Sequence, residues 1–142
     1  MSADFSTELQ IGGSKKELRA ALKVLIGFSN DEDIYLDGVR IGKTNEKGTM
    51  DHSSCVYLRG FKSKEEIDKF LDSLNGKMMV EAGGPYGHFG MLEEVGLFTE
   101  LADAAPDANI AGSISGFDEE GFLYEERLEF KNNYLRCAVY ED

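Results

Sequence analysis

One short run near the C-terminal end constrains this chain more than any other. In Phe122-Leu123-Tyr124-Glu125-Glu126-Arg127-Leu128-Glu129-Phe130 the even positions carry Phe, Tyr, Glu, Leu and Phe, and the odd positions Leu, Glu, Arg and Glu. Alternation with a period of two describes a β-strand with one apolar and one wet face. Lys131-Asn132-Asn133 turns the chain, and Tyr134 to Tyr140 runs back with Leu135, Cys137 and Val139 on one face. Glu126 stands on the apolar face of the first strand. An unpaired buried carboxylate is costly, so Glu126 needs water at a sheet edge, a cationic partner, or a pocket in which it works as an acid. Three readings of this residue follow, and the sequence leaves them open.

The segments before this meander have clear punctuation. Asp4 to Ile11 alternates, with Phe5, Thr7, Leu9 and Ile11 on one face, and Gly12-Gly13 ends it. Ser14-Lys-Lys-Glu17 is a capping box, in which hydroxyl and carboxylate satisfy the first free N–H groups of a helix. Leu18, Ala21, Leu22 and Leu25 follow at helical spacing. Asp33 to Gly42 reads as a single strand or as a hairpin turning on Asp37-Gly38. Lys43 to Ser53 is a polar loop, and Ser54 to Gly60 is a strand with Val56 and Leu58 inward. Ser63-Lys-Glu-Glu66 is a second capping box, followed by Ile67, Phe70, Leu71 and Leu74, with Gly76 placed to end the helix. Lys77 to Ala82 is a returning strand. Leu92 to Ala105 is a third helix, stopped by Pro106. Ala108 to Phe117 leads into the C-terminal strands.

These elements make one domain over residues 1–142, of the α+β class. Their order resembles a ferredoxin-like sandwich, a β-α-β-β-α-β core with an extra helix and a C-terminal antiparallel strand meander. The opening strand with its capped helix, and the late Ile-Ala-Gly-Ser-Ile-Ser-Gly-Phe117 segment before a Phe- and Tyr-rich acidic hairpin, resemble the Api92-like family of phage and mobile-element proteins. That resemblance covers the order of elements and implies no catalytic residue.

Charge excludes several functions. The formal net charge is −12, which opposes nucleic-acid backbones and anionic membrane surfaces and suits a basic protein partner. Cys55 and Cys137 are too few for a disulfide scaffold. The opening Met-Ser-Ala-Asp-Phe has neither a basic region nor an apolar run, so no signal peptide is expected. No apolar stretch approaches the ~18 residues of a membrane span. A cytoplasmic protein is expected.

Few residues offer chemistry. Gly83 to Gly90 is a glycine-rich stretch between a strand and a helix. Its spacing is not that of a phosphate loop, and Glu93 and Glu94 would repel an anion there. Tyr86, His88 and Phe89 on it suit a binding lip. Asp51-His52-x-x-Cys55 with His88 has the ligand types for zinc without the paired spacing. Cys55 with either histidine lacks the positive surroundings that make a thiolate. Asp118-Glu119-Glu120-Gly121 is an acidic turn, with Glu119 and Glu120 as candidates for meeting a basic partner. No catalytic residue, metal or cofactor is expected. The expected function is a small acidic, non-catalytic binding module that engages a protein partner, as an inhibitor, immunity-type or mobile-element accessory protein. The rival is a small-molecule-binding or enzymatic domain using the Gly83 to Gly90 loop. The charge yields a direct expectation: the protein should not retard labelled DNA or RNA in a gel, and a salt-sensitive shift would contradict it.

Overall fold

In the computed structural model, which describes residues 4–29, 39–84, 97–117, 123–131 and 134–141, the first strand has a neighbour on each side. β1 (Asp4–Gly12) pairs antiparallel with β4 (Lys77–Gly84) and with β5 (Asn109–Phe117). The remaining elements are α1 (Lys15–Ser29), β2 (Arg40–Gly42), β3 (Val56–Tyr57) running into a 3-10 turn (Leu58–Gly60), α2 (Lys64–Asp72), α3 (Leu97–Ala104), β6 (Leu123–Lys131) and β7 (Tyr134–Glu141). The described strands form one antiparallel sheet in the order β3-β2-β4-β1-β5-β6-β7. The protein is therefore α+β.

The alternation in β1 sets the two faces of the sheet. Thr7, Leu9 and Ile11 are buried, while Ser6, Glu8 and Gln10 are exposed. Leu9 pairs with Val80 and Gly112, and Ile11 with Met78 and Ile110. Onto this face α1 brings Leu18, Ala21, Leu22 and Leu25, and α3 brings Leu101 and Ala102, with Ala105 just beyond it. The two helices pack against each other. Each large aliphatic side chain buried there contributes about 1.5–3 kcal/mol.

The first six elements in succession do not form the expected β-α-β-β-α-β core. Counting the first six elements consecutively would put β3 beside β1. Instead β3 is the last of the described strands on one side, and β5 takes the place beside β1. The physical reason is length: β3 has two residues and cannot compete with the nine-residue β5 for the long edge of β1. The expected strand over Ser54 to Gly60 is likewise shortened. Only Val56–Tyr57 is extended, and Val56 faces outward at 40% exposure, while Leu58, in the turn, is buried. Of the expected glycine loop, residues 85–90 lie outside the described residues. Gly83 and Gly84 belong to β4, paired with Ser6 and Phe5.

Both serines cap their helices, but the glutamate half of each expected box takes a different partner. The Ser14 hydroxyl accepts from the Glu17 N–H at 3.4 Å and donates to the Glu17 carboxylate at 2.8 Å. The Ser63 hydroxyl accepts from the Glu66 N–H at 3.2 Å, and the Glu66 carboxylate accepts from the Lys62 N–H at 3.0 Å. α2 ends at Asp72, earlier than Gly76 implied, because Ser73 caps it by donating its N–H and its hydroxyl to the Phe70 carbonyl. Gly76 instead supplies a left-handed turn (φ +78°) whose carbonyl accepts from the Gly13 N–H at 3.0 Å, tying the turn into β4 to the end of β1. Ser14→Ala and Ser63→Ala should each lower unfolding free energy by about 1 kcal/mol in denaturant titrations. An unchanged midpoint would contradict the cap.

Candidate functional site

The loop from Lys43 to Cys55 folds back towards the sheet. Its tip is a tight turn in which the Asn45 side chain accepts from the Lys47 and Thr49 N–H groups, and Thr44 bridges Met50. Met50 is buried. At the loop's end a Cβ on Gly42 would lie 3.1 Å from Cys55 Cβ and 3.2 Å from its Cα, so glycine lets the two backbones meet there. This close approach places β3 alongside β2.

The imidazole of His52 reaches across to β4. Its Nε2 lies 3.1 and 3.2 Å from the two carboxylate oxygens of Glu81, and Arg40, the cross-strand neighbour of Glu81, donates to the same carboxylate at 2.8 Å. Arg40 and His52 thus flank one partly buried acid, which also sits opposite Glu8 in the register. The Cys55 thiol donates to the His52 carbonyl at 3.4 Å. With its ring engaged by Glu81, His52 is not paired as a base with the thiol. Among the described residues there is no group of three potential metal ligands.

Beyond β3 the surface opens into a groove of about 710 Å³. Ser54, Cys55, Val56 and Tyr57 form one wall. Glu66, Lys69, Phe70 and Ser73 form the other, at the i, i+3, i+4, i+7 positions of one helical face that runs from α2 into its cap. Phe61 lies edge-on to Phe70, ring centres 5.3 Å apart at 71°. Tyr57 is 61% exposed. α2 is held to the body by ion pairs with α1, between Lys15 and Asp72 and between Arg19 and Asp68 at 2.6 Å. The first pair is exposed and the second half-buried, and each contributes at most about 1 kcal/mol.

Of the positions considered from sequence for their chemistry, Cys55 lines the groove, and none of the candidate binding residues does. Tyr86, His88, Phe89, Glu119 and Glu120 lie outside the described residues, as does the Asp37-Gly38 turn. The backbone of Glu126 is described: β6 pairs on both sides, with Glu126 between Ile114 and Val139, and Ile114 in turn opposite Thr7. The side chain of Glu126 lies outside the described residues. The groove had a faint sequence signal in the helical spacing of Glu66, Lys69, Phe70 and Ser73. Phe70, however, was legible only as a core residue. Comparison with protein-family models, curated proteins and solved structures finds no match.

The loop carrying His52 has one acid whose ionisation its surroundings favour. Asp51 accepts from the Ser53 hydroxyl at 2.6 Å, from the Ser53 N–H at 3.1 Å and from the Ser54 hydroxyl at 3.2 Å, with Lys43 at 3.9 Å. These bonds, the Ser53 hydroxyl's first, hold its pKa below the ordinary value of 3.8. A depressed acid pKa adds stability above the unfolded value, and the addition is lost as pH falls through the folded one. The Ser53 amide should therefore exchange with solvent more readily, relative to its intrinsic rate, once Asp51 is protonated. In Asp51→Asn that acid-dependent step should vanish. A step of equal size in the variant would contradict the role of Asp51.

Proposed function

We propose that this protein is a small acidic, non-catalytic binding module and that it engages a protein partner through the groove between β3 and α2. One observation carries the proposal: an apolar groove at the sheet's end, with Val56 and Tyr57 presented rather than buried. Exposed aromatic side chains beside an apolar cleft are the usual anchors of protein interfaces. The net charge of −12 speeds encounter with a basic partner at long range. The rival use of Gly83 to Gly90 as a ligand loop is weakened, since Gly83 and Gly84 are part of β4.

α1 joins β1 to β2, which flank β4, and α3 joins β4 to β5, which flank β1. Two such split crossovers support a ferredoxin-like unit made of β2-β4-β1-β5 with α1 and α3. The segment bearing β3 and α2 is then an insertion on one side, and β6-β7 an extension on the other. The docking groove lies wholly within the insertion and its cap.

The test uses paired baits, wild type and a Val56→Ser/Tyr57→Ser variant, after equal melting has been checked. A partner retained by the wild type should bind the variant at least about tenfold more weakly. Equal retention by both would place the contact elsewhere and overturn the proposal. A metabolite carried by the wild type in a native mass spectrum and lost from the variant, with no retained protein, would overturn it in favour of a small-molecule site.

A further inference from the structure

We propose that the groove takes an extended peptide segment as an added strand running parallel to β3, with an apolar side chain over Phe61 and Phe70 and an anionic side chain at Lys69. This rests on the reading of the groove as a protein-docking site and specifies the segment that fits it.

The direction comes from the backbone of β3. Among the described residues β3 is the last strand of the sheet, with β2 on its inner side only. The Leu58 N–H donates inward to the Val39 carbonyl at 2.8 Å. Tyr57 is extended (φ −76°, ψ 138°), so its own N–H points the other way, out of the sheet. The Tyr57 carbonyl also points outward, but as the residue preceding the 3-10 turn it accepts that turn's first bond. One residue further back, Val56 sits opposite Ile41 and its N–H points inward, which turns the Cys55 carbonyl outward across a trans peptide. An incoming strand therefore meets the Cys55 carbonyl and the Tyr57 N–H. One residue of a parallel strand satisfies both, donating to the first and accepting from the second. An antiparallel strand placed opposite Tyr57 would need both groups of that residue, and one is already used.

Charge complementarity selects the segment. Of the charged residues on α2, Asp68 and Asp72 are turned to α1, and Glu66 accepts from the Lys62 N–H. Lys69 lines the groove, and among the described residues no carboxylate lies within ion-pair distance of it. The local gap is for an anion, whatever the net charge of the partner. Alternate residues of an extended segment face the same way. The apolar anchor and the acid are thus two positions apart, both directed into the groove. Their side chains meet a wall that is apolar at Phe61 and Phe70 and carries Lys69, with the Glu66 carboxylate one turn before it engaged by the Lys62 N–H.

A phage-displayed library of linear dodecapeptides, panned on the full chain, tests this. Enriched peptides should carry an apolar residue and an acid two positions apart, and should bind Tyr57→Asp at least about tenfold more weakly. Lys69→Glu should reverse the preference, favouring a synthetic peptide with Lys in place of the acid. N-methylation of the residue beside Val56 should cost about tenfold. A nitroxide on the peptide's N-terminal end should broaden the Ser54 amide signal and spare that of Gly60. The opposite broadening would overturn the parallel direction. Peptides that depend on Tyr57 but ignore both Lys69 and N-methylation would leave the docking site standing and overturn strand addition. No peptide depending on Tyr57 would overturn both.

Discussion

The two-sided pairing of β1 is the constraint on which the rest depends. A strand with neighbours on both edges spends its backbone groups in ladder bonds, so its faces are left to side chains alone. Leu9 and Ile11 on one face then require cover, and α1 and α3 provide it. The connections follow from this. β4 and β5 must both return to β1, so α1 and α3 each pass over the strand lying between their ends, and the two helices meet above the buried row. The tie from the Gly13 N–H to the Gly76 carbonyl closes the same arrangement at the end of β1.

What lies far from β1 is less committed to the core. β3 is two residues long, pairs among the described residues only with β2, and presents side chains that a central strand would bury. Its position is maintained from two directions. The loop from Lys43 to Cys55 brings it in over Gly42, where any side chain would crowd Cys55, and His52 pins that loop to Glu81. α2 is fixed separately, by its ion pairs to α1 and by Leu71 in the core. A groove forms because these two supports are independent. Neither the loop nor the helix has an apolar surplus that would close the space between Val56, Tyr57, Phe61 and Phe70.

Much of the element order was readable because it depends on local physics. The Ser14 and Ser63 caps, the alternation of β1, Pro106 after the third helix and the run through Leu123 to Lys131 are each decided by neighbours a few residues apart. Errors arose where a residue's fate depended on distant segments. Val56 reads as inward because it alternates with apolar Leu58, yet the chain turns at Leu58 and reverses that logic. Gly83 and Gly84 read as loop from composition, yet pairing with β1 draws them into a strand. Beyond the helical spacing of one wall the groove was not readable, because its walls come from two segments joined only by folding.

By itself the sequence determined the α+β class, the capped helices, the strands that alternate and the acidic character. These follow from spacing, turn chemistry and charge, which act over one or two turns of chain. The tertiary structure decided which strand lies beside which, which hydrophobic side chains stay exposed, and that Glu81 gathers Arg40 and His52. Strand order reflects competition among edges for a long partner, and exposure reflects whether any element is left to cover a surface. Both are properties of the assembled chain, and no local pattern encodes them.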